Sequence, residues 1–508
     1  MHRSVLAGLA LFAALALWVP TAQAQDIAQL ESEVEMFTLD NGLRFIVVER
    51  PGAPVFTYYA QVGVGGVNEE QGRTGLAHMF EHMAFKGTDE IGTEDHRRER
   101  RALEEVDEAY AAFVAERNKR DPDPKKLEEL EAAFTEAQDE AREFVVANEF
   151  GNIIEKNGGT GLNASTGYDV TTYFYQMPSN KLELWAYLES ERFINPVMRE
   201  FYTERDVVME ERRMRTDSSP IGRMLEEFLA MSYLGHPYGR PLVGYQSDIE
   251  SYTREQALEL YERYYVPSNV VIGLVGDVKA EDVKELAEDY FDDWEEGPKP
   301  PRVTTVEPPQ RGERRVALRD PGQPFLAMGF HKPDRYHPDA PVFDVITQLF
   351  ANGRSSRLHE RLVKDEKKAV AVGAVTQIPG DQYPGLFISF VVPSAGVSAL
   401  ECEDAVLEEL DRLKDEPVSA EELEAVKTRM KADFVRQSRS NFGTIANLVD
   451  AELFENDWRQ GLLYPTEIDA VTAADIQRVA QETFIERNRN VAYIITETEE
   501  EEGATDAR

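Results

Sequence analysis

His78, Glu81 and His82 stand in the run HMFEH. On a helix, residues i and i+4 share a face, so both imidazoles can reach one metal ion, with the carboxylate at i+3 beside them. Metal-assisted hydrolysis needs this set: two neutral nitrogen ligands and a carboxylate able to take a proton from water. Zinc lowers the pKa of water from about 15.7 toward about 7, so the carboxylate mainly relays the proton. The order His-x-x-Glu-His inverts the commoner His-Glu-x-x-His and is one of the zinc peptidase signatures. The alternative is a pair of ordinary surface histidines. With only 8 histidines in 508 residues, such a pair with Glu in the useful place arises by accident in roughly one or two such chains in a hundred. A catalytic zinc takes three protein ligands and leaves one position open. With 94 acidic residues, composition alone cannot nominate the third.

For these side chains to act, HMFEH must be helical and another element must bring up a ligand. Ahead of the motif, EMFTL and LRFIVVE flank Asp40-Asn41-Gly42, and Asn-Gly supplies the positive φ angles of a tight two-residue hairpin turn. The strand FTYYAQVGV follows, then the motif helix. Between Thr93 and Asn148 the composition changes. Leu103, Val106, Tyr110 and Phe113 recur at helical spacing, as do Leu127, Leu130, Phe134, Ala137, Ala141 and Phe144. Asp121-Pro122-Asp123-Pro124 interrupts them, because proline forbids helix continuation. The segment reads as a helical hairpin inserted into a loop, its plain role that of a solvated antiparallel helix pair. After it, GGTGLNASTGYDVTTYFYQMP alternates as strands and turns do, LELWAYLESERF and YTERDVVMEERRMR are helical, and NVVIGLVGDV is a strand that closes the first half.

Pro298, Pro300, Pro301, Pro308 and Pro309 crowd the stretch between Gly297 and Gly312, which reads as a linker at 298–311. A divergent copy of the first half follows. Thr253 and Thr472 each precede a helical run, with Gln256 or Asp475 three residues on as in a capping box, and their offset is 472 − 253 = 219 residues. The expected organisation is a signal peptide at 1–24, a first domain at 25–297 with its insertion at about 93–148, the linker, a homologous second domain at 312–496 without the metal motif, and an acidic tail at 497–508.

Composition narrows the class further. With 42% hydrophobic residues the chain is globular and long enough for two or three domains. Its 94 acidic against 55 basic residues, net −39, leave no surplus to neutralise phosphates, which speaks against nucleic acid and anionic membranes as partners. MHRSVLAGLALFAALALWVPTAQAQD has a short positive start, an apolar stretch and the small-x-small signal Ala22-Gln23-Ala24. It predicts cleavage after Ala24 and export, to the periplasm or beyond; the apolar stretch from Val5 to Val19 is short for a membrane anchor. No later run could cross a bilayer. Cys402 is the single cysteine, so no disulfide can form within the chain despite the oxidising compartment that export implies. VGVGG and GGTG lack the Gly-Lys-Ser/Thr ending of a phosphate loop, and His236, His331, His337 and His359 receive no role.

The chain resembles the M16 metallopeptidases, the group of pitrilysin, insulin-degrading enzyme and mitochondrial processing peptidase, and among them the bacterial members with two homologous domains. The resemblance rests on HMFEH with Gly75 and Lys86-Gly87-Thr88, on GGTGLNASTGYDVTTYF, ERDVVMEERR, HPYG from His236, YYVPSNVVIGLVGD and, in the second half, ANGRSSRLHERLVKDE. It implies an α+β fold of two homologous domains, each an antiparallel sheet flanked by helices. It also implies one zinc per chain, held by His78, His82 and Glu211, with Glu204 as a supporting carboxylate two helical turns earlier. Glu210 remains the rival to Glu211. The gap of 211 − 82 = 129 residues exceeds the family's by about fifty, the size of the inserted hairpin, whose close ends leave the site undisturbed.

The run from Leu162 to Ser165 matches the family's edge strand beside the zinc, where Asn163 and Ala164 would pair with an extended substrate through main-chain bonds. Asn163 is otherwise a turn residue. Family members keep an Arg and a Tyr in the C-terminal half that hold substrate and steady an oxyanion. Val363 and Val370 stand in those places and can do neither, although Arg357 and Arg361 lie nearby. The resemblance thus implies a zinc endopeptidase with Glu81 as general base, cutting peptides or unfolded segments inside a chamber closed by a second chain, identical or related. The rival is a non-catalytic subunit that folds like a peptidase and completes a partner's chamber. The two valines favour it; the retention of Glu81 between two metal ligands opposes it.

Overall fold

The computed structural model describes residues 30–496; the expected signal peptide and acidic tail lie outside them. Six strands form a first sheet: β1 (Val34–Thr38), β2 (Arg44–Glu49), β3 (Val55–Val62), β4 (Thr160–Thr166), β5 (Thr171–Pro178) and β6 (Val270–Gly276), in the order β1-β2-β6-β3-β5-β4. Five form a second: β7 (Arg314–Asp320), β8 (Phe325–His331), β9 (Ala369–Ile378), β10 (Leu386–Pro393) and β11 (Arg489–Thr496), in the order β7-β11-β8-β10-β9. Apart from β1 the two topologies are the same, β2, β6, β3, β5 and β4 answering to β7, β11, β8, β10 and β9. Helices flank both sheets, and the class is α+β. Each sheet is antiparallel except for one parallel pair, β2 with β6 and β7 with β11. That pair arises because the last strand of each half returns to mid-sheet by way of a helix, Arg254–Tyr264 or Ala473–Thr483. Both helices open on the expected capping boxes, Thr253 with Gln256 and Thr472 with Asp475. β6 is buried along its whole length, which is why it reads as an unbroken apolar run rather than an alternating one.

The β1–β2 turn differs from the expected two-residue type. Pairing stops at Thr38 and Arg44, Gly42 N donates to Leu39 O, and of the turn residues only Gly42 has positive φ, at 92°. Asn41 turns inward instead. Its Nδ2 donates to the carbonyls of Phe291 at 2.8 Å and Trp294 at 3.1 Å, and its Oδ1 accepts from Leu43 N at 3.1 Å. Satisfying these buried carbonyls next to the helix Ala280–Phe291 decides the loop geometry.

Four helices of the first half concern the site: α1 (Leu76–Met83), α2 (His96–Arg117), α3 (Pro124–Arg142) and α4 (Phe201–Arg212). Helices α2 and α3 are the expected hairpin, with Pro124 opening α3 and Asp123 accepting from Lys125 N. Its ends meet: Thr93 bridges Val145, and Val146 N donates to Gly92 O at 3.0 Å. The expectation of a merely solvated pair is corrected, because one face is covered. Tyr110 and Phe134 pack on Tyr202 of α4, with ring centroids 4.3 and 5.2 Å away.

Two further helices join the halves. Helix α5 (Pro220–Ser232) precedes the linker but packs Met224 and Phe228 on the second sheet, against Phe325, Ala327, Ala492 and Ile494. Helix α6 (Asn441–Glu455) belongs to the second half but packs Ile445, Leu448 and Val449 on the first sheet, against Ile46, Val48, Val271 and Val275. Ser219 and Ser440 cap them alike, each accepting from the glycine three residues on. Each exchanged helix crosses a strand glycine: a Cβ on Gly273 would lie 2.3 Å from Ile445, and one on Gly329 would lie 2.6 Å from Phe228. The linker region, 295–313, forms neither helix nor strand, yet Glu307 fastens it by accepting from the backbone N–H groups of Leu234, Gly235 and His236. No helix among the described residues is long and apolar enough to cross a membrane. Gly273→Val should overpack the seam under α6 and cost about 1–3 kcal/mol of stability, whereas Gly52→Ala, with nothing within 4 Å of the added Cβ, should cost little. Urea unfolding of the two variants checks this, and equal midpoints would contradict the seam.

Candidate metal centre

Helix α1 is fastened before its chemistry begins. Gly75 precedes it with φ of 88°, and a Cβ there would lie 2.1 Å from Val243 O, so both conformation and space demand glycine. The buried Glu69 carboxyl accepts from Gly75 N at 2.6 Å and Ala77 N at 2.8 Å, satisfying two of the free amides at the helix N-terminus. Burial pushes its pKa up to about 8, against those two amide bonds and Arg240. Leu76, Ala77, Met79, Phe80 and Met83 anchor the apolar face in the core, which leaves Glu81 and His82 toward the cleft.

Helix α4 brings up the carboxylates. His78 Nε2 is 3.6 Å from Glu211 Oε1, and His82 Nε2 is 3.4 Å from Glu211 Oε2. One ligand atom from each of His78, His82 and Glu211 lies within 4.8 Å of the others. Ligand bonds of 2.0–2.1 Å in a tetrahedron put neighbouring donor atoms roughly 3.3 Å apart, so the spacing suits a zinc ion among the three, and two imidazoles with one carboxylate are a zinc donor set. Glu210, the sequence rival, lies at the exposed rim of the cleft, paired with Arg213 at 2.6 Å and outside the donor cluster.

Glu204, two turns before Glu211, accepts from His82 Nδ1 at 2.8 Å and pairs with Lys86 Nζ at 2.7 Å. His82 is thereby oriented with Nε2 toward Glu211. Burial opposes charge on His82, but the bonds to Glu204 and Glu211 outweigh it and raise the pKa to about 9. The same contacts, with Lys86, overcome burial at Glu204 and lower its pKa to about 2. His78 is held by packing. Its Nδ1 is buried with no hydrogen-bond partner among the described residues, and burial, reinforced by His82, lowers its pKa to about 4. A ligating imidazole must be neutral, so metal entry must displace the proton that the carboxylates hold on His82.

Glu81 is turned by a contact that sequence reasoning missed: Thr166 Oγ1 donates to its Oε2 at 2.6 Å. Burial raises the Glu81 pKa despite that bond, the direction useful to a base working near neutrality. Thr166 ends β4, the edge strand of the first sheet, where Asn163 pairs with Phe174 and Ala164 with Tyr173 of β5. Asn163 Oδ1 accepts from Ala164 N at 2.9 Å. Also unforeseen is Arg199, nine-tenths and more buried, which bonds Glu99 of α2 and the carbonyls of Lys86, Thr88 and Ile91. It joins the loop after α1 to the hairpin just before α4 begins. Single residues such as these, whose partners lie far away in sequence, carry no local spacing signal, which is why the pattern of the chain did not reveal them.

A cleft of about 1250 Å³ opens on the three donors; α1, β4, α4 and, from the hairpin, Gln138 and Arg142 line it. Val363 packs against the core of the second half and Val370 is exposed. Arg357 is paired with Glu422, and Arg361 with Glu366 and Glu409. Neither arginine lines the cleft.

Known proteins resemble this chain in sequence and fold. A family model described as "Insulinase (Peptidase family M16)" matches residues 44–116, which hold His78, Glu81 and His82. One described as "Peptidase M16 inactive domain" matches residues 251–430, which hold none of the three donors. The zinc protease PqqE of Helicobacter pylori is 29% identical over 91% of this chain and 92% of its own. The crystal structure of a protease from Helicobacter pylori superposes with a TM-score of 0.75 at 26% identity, over 91% of this chain and 99% of that one. The periplasmic protease PqqL from Escherichia coli shares the fold, with a TM-score of 0.67 at 19% identity over 93% of this chain and 48% of that one.

A metal that binds the folded chain alone stabilises it by about 2.7 kcal/mol at a hundred times its Kd. Zinc should therefore raise the melting temperature of the wild-type chain and of Glu210→Gln, and should fail to do so for Glu211→Gln. Thermal melts with and without zinc make the comparison; a zinc shift surviving in Glu211→Gln would remove that residue from the ligand set.

Proposed function

Because the chain belongs to the M16 peptidase family, we propose that it is a zinc endopeptidase whose metal is held by His78, His82 and Glu211, one ion per chain. The observation that carries this is the convergence of both Nε2 atoms on the Glu211 carboxylate in an open cleft that Glu81 also lines. Zinc bound there supplies Lewis acidity, which acidifies water and polarises the scissile carbonyl. Glu81 takes the proton of the attacking water and returns it to the leaving amine nitrogen. Glu204 keeps His82 in the tautomer that presents Nε2 to the ion. The open side of β4, at Asn163 and Ala164, receives the substrate as an added strand, so recognition runs mostly through the main chain and tolerates many side chains.

The substrates are peptides or unfolded segments, and a second chain, identical or related, closes the chamber over the cleft. Export to the periplasm follows from the signal-like first 24 residues and agrees with the periplasmic origin of the PqqL protease. A second reading, a non-catalytic partner subunit, is favoured by Val363 and Val370 in place of the family's Arg and Tyr. Cleavage of a quenched fluorogenic peptide library separates the two. The mature chain should cut peptides, lose activity to a chelator and regain it with zinc, and Glu81→Gln should lose at least about 100-fold in turnover while keeping its zinc. Zinc bound with nothing cut by the wild-type chain would favour the second reading and turn attention to a partner that brings an Arg and a Tyr.

A further inference from the structure

The hydrogen bonds of the Thr166 hydroxyl run to Glu81 and to none of the three donors. The hydroxyl donates to Glu81 Oε2 at 2.6 Å. The neighbouring hydroxyl, Thr171 Oγ1, spends its own proton on Val64 O at 2.9 Å and stands 3.5 Å from Thr166 Oγ1. At 2.6 Å against 3.5 Å, the carboxylate and not Thr171 takes the Thr166 proton, and a β-branched side chain has few rotamers with which to leave it. Fixing Oε2 leaves Oε1 to meet the water.

The backbone beneath Thr166 is fixed in turn. The turn after it closes by Gly167 N donating to Val170 O at 2.8 Å and is stitched to the segment before α1 by Gly66 N to Gly167 O at 3.1 Å and Val67 N to Tyr168 O at 2.9 Å. Within the turn, the buried Asp169 carboxylate accepts from Tyr238 Oη at 2.6 Å and from the backbone N–H groups of Asp381 at 3.0 Å and Gln382 at 3.1 Å. Those two amides belong to the second half. Gly380 must stay small there, because a Cβ would lie 2.2 Å from Asp169 Oδ2.

We propose that Thr166 is a positioning residue for Glu81, aiming the carboxylate from the last residue of the strand that takes the substrate, and that the half without a metal motif holds this device in place through Asp169. The proposal rests on reading Glu81 as the general base. Its test uses the full zinc-loaded chain and one fluorogenic peptide, comparing wild type with Thr166→Val, which keeps the shape and removes the hydroxyl, and Thr166→Ser, which restores it. Thr166→Val should lower kcat roughly 10- to 100-fold with KM close to wild type, and Thr166→Ser should recover most of that loss. Zinc content should not change, nor should the affinity of uncut peptide for Glu81→Gln when Thr166→Val is added; a packing defect would move both. Thr166→Val with kcat within about twofold of wild type, a loss expressed in KM or zinc content, or a serine variant no better than valine would overturn the proposal and leave Glu81's role standing. A wild-type chain that binds zinc and cuts no peptide would overturn both.

Discussion

The 2.8 Å bond between His82 Nδ1 and Glu204 is the contact around which the site is arranged. It joins two helices that the chain separates by more than a hundred residues, and it fixes which imidazole nitrogen faces Glu211. Once His82 is oriented, Glu211 reaches His78 on the same helix face, and the donor spacing suits a tetrahedral ion. The cost is a buried set of like charges: Glu204 and Glu211 stand together, partly covered. Lys86 and the proton on His82 offset it, and the ion would replace that proton as the balancing charge.

Around that contact the fold works as a set of clamps. Glu69 fixes the start of α1, Arg199 ties the loop after α1 to the hairpin, and Tyr202 seats the hairpin on α4. Each clamp is a buried polar group with its partners satisfied or a well-packed aromatic cluster, and such groups specify one arrangement rather than merely adding stability. The hairpin therefore belongs to the site's surroundings, since Gln138 and Arg142 line the same cleft as the donors.

The two sheets share one topology but divide the work. Among the described residues the second half contributes none of the three candidate donors, yet it is bound to the first by exchange: α5 covers the second sheet and α6 the first. Neither sheet buries its outer face with its own half alone, so the halves form one cooperative body, and the hydrophobic effect makes the duplicated half necessary even where it contributes no chemistry. Asp169, accepting from Asp381 and Gln382, extends that dependence to the end of β4.

What was legible in the sequence is what local geometry dictates. The spacing of His78, Glu81 and His82 follows from 3.6 residues per turn; the capping boxes at Thr253 and Thr472 and their 219-residue offset revealed the duplication; the proline break at 122–124 marked the hairpin. Each depends on residues a few places apart. The structure alone decided that Glu211 faces the imidazoles while Glu210 faces Arg213, that Thr166 bonds Glu81 from 85 residues away, that Asn41 turns inward to the carbonyls of Phe291 and Trp294, and that α5 and α6 change places. Such choices come from close packing between distant segments, where one or two ångströms separate a bond from a miss, and no local periodicity encodes them.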